Sequence, residues 1–457
     1  MKNRPQFLLA IGFLAGALLL PAWGQSSAPQ QPAQKDAQLS DSSQAIQGTS
    51  NAEKFDPDDR PLSGAEDVSL GTPEGTKNVL NASIRADARL DSNPRSAGNG
   101  YAWQGDGDVF GTLSLNRTWK RNMFTAAYDG GGIFYRGTNN QSIHSAALSQ
   151  LLTWQRWTLT FSDQMTYSPE TPFGMPGPQP TSINPFGINA AFLPNQSILT
   201  NQATRISNTN IAQVDYALNR RSSISATGSY GLLHYTGPGA FDSNQSGGTL
   251  GYNYALTPHD KVAVTYGYEQ FTFSGSNTDI QTTNLIYAHQ VTGRWSAEIG
   301  AGAQMVKLFN SLTPSKDSLS PDGHANLMYA WRRSQLTLSA SKSVMSGMGL
   351  FEATNTTIAQ LTVSRALSRK LNGSISGGYA ENSVIGTRTG AGEKIRSGFA
   401  NLGLQRSFGR HAALDFTYYF QRQTGLTVCS GPVCAGDVLR HSIGLGFSWN
   451  FSPVVFH

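Results

Sequence analysis

The sequence predicts an all-β chain that forms a transmembrane, antiparallel, up-and-down β-barrel of about 18 strands. Three observations predict this fold: apolar and polar residues alternate along most of the chain, short and long connections alternate, and tryptophans gather at strand ends. The clearest segment is 441–451, in which every second side chain is apolar or aromatic and the others are Ser, Gly or Asn. A period of two indicates a strand with one apolar and one polar face.

Composition agrees with a barrel and argues against other classes. The chain has 457 residues, 48 glycines and only 14% charged residues. Beyond residue 25 no apolar run approaches the length of a membrane-spanning helix, so any crossing of a membrane must use strands. The net charge of +5 is modest and no basic stripe is interleaved with aromatic residues, so we do not expect nucleic-acid binding.

The N-terminus predicts export. Lys2 and Arg4 precede an apolar stretch over 7–20, and Ala22-Trp23-Gly24 follows as a small-x-small cleavage site. We therefore expect a signal peptide over 1–24. The alternative is an N-terminal membrane anchor, for which the apolar stretch is short.

The next segment, 25–75, predicts a disordered periplasmic linker. It is composed of Gln, Ser, Ala, Pro and Asp without periodicity, and such a composition buries too little apolar area to offset chain entropy. An alternative is that 61–70 docks as a small plug. The barrel is expected over 76–457.

Eighteen segments within 76–457 carry the strand pattern. The first alternates Leu, Ala and Ile with Asn, Ser, Arg and Asp, and the rest follow the same rule. In chain order the predicted strands are 80–90, 109–119, 123–135, 143–154, 157–167, 206–218, 223–235, 249–256, 262–271, 282–291, 295–305, 324–331, 336–344, 357–367, 371–382, 399–408, 412–422 and 438–451.

The connections and the aromatic residues predict orientation. Eight connections are short and mostly basic, whereas those between them are long and rich in Gly and Asn. Outer-membrane barrels place tight turns in the periplasm and long loops outside. Tyr235, Tyr268, Tyr379 and Phe420 predict an outer aromatic girdle. Six tryptophans beside short turns or at the last strand end predict the periplasmic girdle: Trp119, Trp154, Trp157, Trp295, Trp331 and Trp449.

Cys429 and Cys434 are the only cysteines, and they flank a short loop between two predicted strands. Their spacing suits a small disulfide-closed loop in an oxidising compartment. A metal site would need further ligands nearby, and none are there, so we predict neither a metal nor a cofactor.

The chain resembles the Gram-negative outer-membrane β-barrels, including porins, over about 76–457. Its last strand is similar to the assembly signal of that class, with Ser442, Gly444, Phe447 and Trp449 as the matching residues, although 452–457 extend beyond it. The resemblance implies an outer-membrane location, contact with membrane lipids and lipopolysaccharide, and recognition of the last strand by the barrel-assembly machinery. It does not indicate whether the barrel is a monomer or forms oligomers.

A barrel of about 18 strands leaves an aqueous channel, so inward side chains are the candidate site. Most predicted inward residues are Ser, Thr, Asn and Gln. Sparse inward charges either form salt bridges that hydrate the wall or, around Arg89 and Arg440, make a weak anion-attracting patch. The pore-lining candidates are Arg85, Asp87, Arg89, Asp215, Glu269, Glu298, Asp415 and Arg440.

The long loop 168–204 is a candidate constriction. Its 169–174 stretch is similar to an acidic Pro-Glu-Phe-Gly-Gly stretch in the third loop of classical porins, which folds into the lumen. Glu170, Phe173 and Phe186 are the constriction candidates, and an outward or disordered loop is the alternative.

Enzyme activity is not expected, because the eight histidines are scattered and no nucleophile, metalloprotease, phosphate-loop or paired-carboxylate motif occurs, so no catalytic residue is proposed. Two transport functions remain: a passive channel for small, largely neutral solutes and an export conduit for a secreted polysaccharide. A structural or adhesive role is a third. Asp163 is an acid among lipid-facing residues, which predicts either a bulge that turns it inward or a subunit contact.

Overall fold

The computed structural model describes residues 78–94, 103–136, 140–169, 197–199, 204–236, 242–273, 276–292, 294–310, 313–347, 350–385, 393–425 and 436–456. The predicted signal peptide, linker and cysteine loop lie outside these residues. Nineteen strands are formed: β1 (Val79–Asp91), β2 (Gln104–Trp119), β3 (Asn122–Tyr135), β4 (Gln141–Thr153), β5 (Trp157–Ser168), β6 (Arg205–Ala217), β7 (Ser222–Tyr235), β8 (Ser243–Ala255), β9 (Asp260–Phe273), β10 (Ser276–Thr292), β11 (Trp295–Asn310), β12 (Thr313–Trp331), β13 (Ser334–Gly347), β14 (Phe351–Ala366), β15 (Leu371–Ile385), β16 (Lys394–Phe408), β17 (Ala412–Thr424), β18 (Val438–Asn450) and β19 (Val454–Val455).

The sheet closes on itself. Each strand from β1 to β18 pairs antiparallel with the next, and β1 pairs antiparallel with β18 from Ser83↔Asn450 to Asp91↔Ser442. The two-residue β19 extends this seam by pairing with Val79 and Leu80. The 18-stranded antiparallel barrel predicted from the alternation is therefore confirmed, with β19 as a short continuation of β18.

Side chains alternate between the two faces as the period of two requires. On β18 the outward Leu445, Phe447 and Trp449 are exposed, whereas the inward Arg440 and Ser442 are buried. The same alternation holds on β1, where Ile84 and Leu90 point outward. An apolar outer face and a polar inner face are what a barrel in a lipid bilayer needs, and the chain is a transmembrane barrel of the outer-membrane type.

The short turns lie at one end of the barrel. They are closed by backbone hydrogen bonds such as those from Leu218 N to Ser222 O (3.0 Å) and from Leu367 N to Leu371 O (2.9 Å). In the turn before β17, Gly409 has a φ of 71°, a left-handed conformation that glycine adopts without strain. Because outer-membrane barrels turn tightly in the periplasm, we assign this end to the periplasm.

The six predicted girdle tryptophans are all exposed at this end, between 37% and 57%. Trp157 packs on Tyr216 with ring centroids 4.4 Å apart, and Trp295 packs on Tyr329 at 4.2 Å. His411 stacks on Trp449. These pairs place aromatic rings at separate points of the rim where the barrel wall meets the lipid headgroups.

One residue of the predicted outer girdle is wrong. Tyr235 is only 5% exposed, because its position on β7 is an inward one, whereas Tyr268 and Tyr379 are exposed on the outer surface as predicted. The alternation that turns Ser225 and Thr227 inward also turns Tyr235 inward, so a position near the strand end is not enough to place an aromatic residue in the girdle.

Several strands are longer than the sequence predicted, and the largest extensions are at the end away from the short turns. β12 begins at Thr313 instead of residue 324, β10 at Ser276 instead of 282, and β2 at Gln104 instead of 109. Beyond the apolar band both strand faces are polar. Strand pairing continues there, but the alternation of apolar and polar residues that predicts a strand has ended. Among the described residues no helix has the length and apolarity to span a membrane.

The orientation is tested by thiol labelling of whole cells, in a chain whose native cysteines are replaced (Cys429→Ser, Cys434→Ser). We expect Arg220→Cys, in the β6–β7 turn, to be protected from a membrane-impermeant thiol reagent, and Thr236→Cys, after β7, to react. Equal labelling of the two sites in intact cells would contradict the assignment; labelling of both after lysis is the control.

Candidate channel lumen

The inner wall is lined mainly by small hydroxyl and amide side chains, as the sequence predicted. On β5 the inward Thr160 and Ser162 are buried, and on β7 Ser225 and Thr227 occupy the equivalent positions. Such side chains offer hydrogen bonds without a strong field. All eight predicted pore-lining residues, which are all charged, occupy inward positions of their strands, and all except Asp215 lie in two regions of the wall.

The first group lies along the seam where β1 meets β2 and β18. Arg89 Nη2 donates to Asp108 at 2.7 Å and Arg89 Nε donates to Asp106 at 3.2 Å. Arg440 Nη2 lies 2.6 Å from Asp91 Oδ2, and Arg85 Nε lies 2.7 Å from Asp87. We call these residues, Arg85, Asp87, Arg89, Asp91, Asp106, Asp108 and Arg440, the seam cluster. Each of its arginines is held by a carboxylate.

The wall around the seam cluster, with Asp129 and Asp415 beside it, is acidic overall. On the described inner faces of β1, β2, β3, β17 and β18, six aspartates accompany three arginines. The anion-attracting patch expected around Arg89 and Arg440 is not favoured by this arrangement, because both guanidiniums are occupied and the surplus charge is negative. The aspartates are Asp87, Asp91, Asp106, Asp108, Asp129 and Asp415.

Four of these aspartates were missed by the sequence analysis. Asp106 and Asp108 precede the predicted start of the second strand, and Asp91 follows the predicted end of the first. A signal was present, because 104–110 continues the period of two, with glycines at 105 and 107 as the outward residues. Glycine carries no hydrophobic signal, so the alternation was not recognised.

The second group lies about half a turn of the barrel away, on β9 to β12. Glu298 accepts a hydrogen bond from Asn326 at 3.4 Å and lies 3.1 Å from His324 Nε2, while Asp322 accepts from Asn284 Nδ2 at 2.6 Å. Glu269 is buried on β9. Asp215, on β6, lies apart from both groups and accepts two hydrogen bonds from Gln213.

A segment of the predicted constriction loop lies inside the barrel. We call Ser197–Leu199 the lumen segment. Leu199 N donates to Gln423 Oε1 at 2.7 Å, and Gln423 Nε2 donates back to Leu199 O at 3.1 Å. Ser197 Oγ donates to Asn382 Oδ1 at 3.0 Å. Since Asn382 and Gln423 point inward from β15 and β17, this part of the loop is in the lumen; Phe173, Phe186 and Glu170 lie outside the described residues.

Apolar contacts also hold the lumen segment. Ile198 is fully buried against Phe351 and Ile395, and Leu199 packs against Val438. Burial of two such side chains contributes about 3–6 kcal/mol, which roughly equals the backbone entropy lost on ordering three residues, about 3–6 kcal/mol. The hydrogen bonds to Gln423 and Asn382 therefore decide whether the segment stays in place.

The tip of the β13–β14 hairpin bends into the lumen as well, which the sequence did not predict. β12 pairs with β13 only as far as Gly323↔Lys342, although β12 continues beside β11 beyond that point. Above it, Val344 N donates to the inward Gln304 at 2.7 Å, and Val344 packs with Phe271 of β9. The lumen segment and this tip meet at Phe351.

The constriction and the seam cluster are neighbours. Val438, against which Leu199 packs, and Arg440, which binds Asp91, are successive inward residues of β18. A solute that passes the lumen segment from outside therefore meets the seam cluster next. Among the described residues no group of three or more potential metal ligands is found.

Breaking the Arg440–Asp91 pair is predicted to destabilise the barrel. The side chains are 4% and 0% exposed, so Asp91→Asn removes the carboxylate that lies against a buried guanidinium. We expect a loss of about 3–5 kcal/mol in unfolding free energy, measured by urea titration in lipid vesicles, and recovery of most of it in the double variant Asp91→Leu/Arg440→Met.

The matched control is Arg396→Gln, which removes an ion pair to Glu381 of similar length, 3.0 Å, on the exposed outer surface. It should leave stability unchanged, because exposed pairs contribute little. If Asp91→Asn is as stable as the unsubstituted barrel, the seam pair does not have the role assigned to it.

Comparison with solved structures finds other outer-membrane proteins. The chain is similar to the outer membrane protein OpdK of Pseudomonas aeruginosa (10% identity over 84% of this chain and 100% of that one, TM-score 0.42). It is also similar to OccAB2 of Acinetobacter baumannii (10%, 83% and 100%, TM-score 0.44) and to Pseudomonas aeruginosa OccK2 (OpdF) in complex with glucuronate (11%, 83% and 98%, TM-score 0.41).

No family model matches the chain, and no curated protein matches it. At about 10% identity and TM-scores below 0.5, the solved structures do not bear on what this chain transports. Assignment to the transmembrane barrels of the outer-membrane type rests on the closed strand pairing, the apolar outer face and the polar lumen of the chain itself.

Proposed function

We propose that the protein is a passive outer-membrane channel for small hydrophilic solutes, which admits neutral molecules and cations in preference to anions. The observation that carries the proposal is the charge of the inner wall: a hydroxyl-rich lining with six aspartates against three arginines around the seam, and with Glu269, Glu298 and Asp322 on the far side. Charges of one sign on a low-dielectric wall concentrate counter-ions in the pore.

The lumen segment sets the size limit in this proposal. An apolar segment anchored on Gln423 and Asn382 narrows the pore next to the acidic seam, so solutes pass size and charge selection at adjacent levels. Export to the periplasm by an N-terminal signal peptide, and insertion through recognition of the last strand by the assembly machinery, remain parts of the proposal.

Export of a polysaccharide is the competing transport function. A long polymer needs a wide and continuous passage, and Ile198, Leu199 and Phe351 put an apolar obstruction in its path. An export barrel of this kind would be closed until the loop is displaced, whereas a diffusion channel conducts at rest. A structural or adhesive protein would conduct in neither state.

Planar-bilayer recording distinguishes these functions. In a KCl gradient the purified barrel should open without activation and give a reversal potential of the sign for K⁺ preference. Asp129→Asn/Asp415→Asn removes two carboxylates that form no salt bridge among the described residues, and the K⁺ to Cl⁻ permeability ratio should fall toward unity.

The control Glu381→Gln removes a carboxylate from the outer surface of β15, and the ratio should not change. Chloride preference of the unsubstituted channel would overturn the proposal. A pore that conducts only after deletion of 171–203 would favour export, and a barrel closed with and without that loop would favour a structural role.

A further inference from the structure

A carboxylate lies on the lipid-facing surface of the barrel near mid-membrane. Asp163 occupies the outward series of β5 with the exposed Trp157, Phe161 and Met165. Strand pairing is continuous across it on both sides, so no bulge turns it inward and that alternative from the sequence is wrong. It is six residues from the girdle residue Trp157, about 15 Å along the normal for a strand tilted by about 40°, in an apolar band about 25 Å tall.

The carboxylate begins a short chain of polar contacts on the same surface. Asn208 Nδ2 donates to Asp163 Oδ1 at 2.6 Å, and Asn210 Nδ2 donates to Asn208 Oδ1 at 2.6 Å. Asn208 also donates to the backbone oxygen of Gln164 at 3.3 Å. Among the described residues neither Asp163 Oδ2 nor Asn210 Oδ1 receives a hydrogen bond. In lipid such groups are costly, because acyl chains offer no donor or acceptor.

Small residues flatten the surface beside this chain. Ala212, Gly228 and Gly248 are paired successively across β6, β7 and β8 and all occupy outward positions. A methyl group added at Gly228 would meet nothing within 4 Å, so the surface there is open. In membranes, close approach of two protein surfaces takes place at small residues, with polar side chains hydrogen-bonded across the contact.

We propose that this patch, Asp163, Asn208 and Asn210 with the adjoining Ala212, Gly228 and Gly248, is the interface of a two-fold homodimer in the membrane. Asp163 and Asn210 face each other across β5 and β6 and lie at nearly the same depth. A two-fold axis along the membrane normal places Asp163 of each subunit against Asn210 of the other. Asp163 Oδ2 of each subunit then accepts a hydrogen bond from the second Nδ2 hydrogen of Asn210 in the other subunit. The two-fold axis repeats this bond, so the interface contains two of them.

Hydrogen-bond complementarity favours a second copy of the chain over a lipid. The patch holds a carboxylate acceptor and an amide donor side by side, so it is complementary to itself after a two-fold rotation. Acyl chains, which fill the bilayer at this depth, would leave the second carboxylate oxygen of Asp163 and the second amide hydrogen of Asn210 without partners. The inference does not depend on the proposed function, since each barrel keeps its own lumen.

The test counts subunits of the full-length barrel in lipid vesicles, by stepwise photobleaching over a range of protein-to-lipid ratios. We expect a monomer–dimer equilibrium whose dissociation constant rises by roughly tenfold in Asp163→Leu and in Asn210→Leu, the effect of losing two reciprocal polar contacts. Asp163→Asn keeps a hydrogen-bonding side chain and should dimerise within about threefold of the unsubstituted barrel.

Two further variants keep the outcome interpretable. Thr283→Leu changes an outward polar residue on β10, far from the patch, and should not alter the equilibrium. Gly228→Leu adds a side chain at a position where an added Cβ would meet nothing within 4 Å, so we expect it to fold and to block the dimer even if Asp163→Leu fails to fold.

A barrel that stays monomeric at every density, a count of three, or a dimer that forms equally well in Asp163→Leu and Gly228→Leu would overturn the proposal. So would a monomer that enters a complex only when another membrane protein is added. Single-barrel conductance measured alongside separates this result from any failure of the channel proposal.

Discussion

Closure of the sheet is the constraint on which the rest of the structure depends. In a bilayer no water satisfies the backbone groups of a free strand edge, so β1 must pair with β18 along its whole apolar length. That register brings residues from the two ends of the chain together, and the Arg440–Asp91 pair joins residues 349 positions apart. The same pairing fixes which side chains face lipid and which face the lumen, because a slip of one residue would exchange the two faces.

A closed barrel of 18 strands is too wide to be filled by its own wall, so the width of its passage depends on what enters the lumen. Among the described residues, two parts of the chain enter it from the end opposite the short turns: the lumen segment and the tip of the β13–β14 hairpin. They pack on each other through Ile198 and Phe351 and are tied to the wall by Gln423 and Gln304. Below them the seam cluster supplies the charge. In the proposed channel, size selection and charge selection therefore have separate structural origins.

The sequence predicted the fold well because the lipid imposes a strict period of two on every strand. Strand number, the short turns and the tryptophan girdle all follow from that rule. The rule fails beyond the lipid, where β2, β10 and β12 continue past the predicted strands. Asp106 and Asp108 lie in the unpredicted part of β2, so they were not among the predicted pore-lining residues. The placement of Tyr235 in the outer girdle was wrong for a related reason. Being aromatic and near a strand end does not show whether a residue faces the lipid or the lumen.

The site was less predictable than the fold. The eight charged pore-lining candidates lie at inward positions of their strands. The pairing of Arg89 with Asp106 and Asp108, however, depends on register between strands, which no single segment encodes. The inward bend of the hairpin tip depends on Val344 finding Gln304 and Phe271, contacts between strands distant in the sequence. The two contacts that hold the lumen segment, to Asn382 and Gln423, span 185 and 224 residues.

The most direct test of the account is to tether the lumen segment to the wall and measure conductance. Leu199→Cys and Gln423→Cys, with the native cysteines replaced, place two thiols where the backbone of Leu199 now contacts Gln423. A short reducible thiol cross-linker should join them in the folded barrel, and single-channel conductance should match that of the unsubstituted channel while the link is intact. Conductance should rise on reduction, because the substitutions have removed the Gln423 anchor. Failure to cross-link, or a conductance that reduction leaves unchanged in the cross-linked protein, would contradict the claim that this segment narrows the pore.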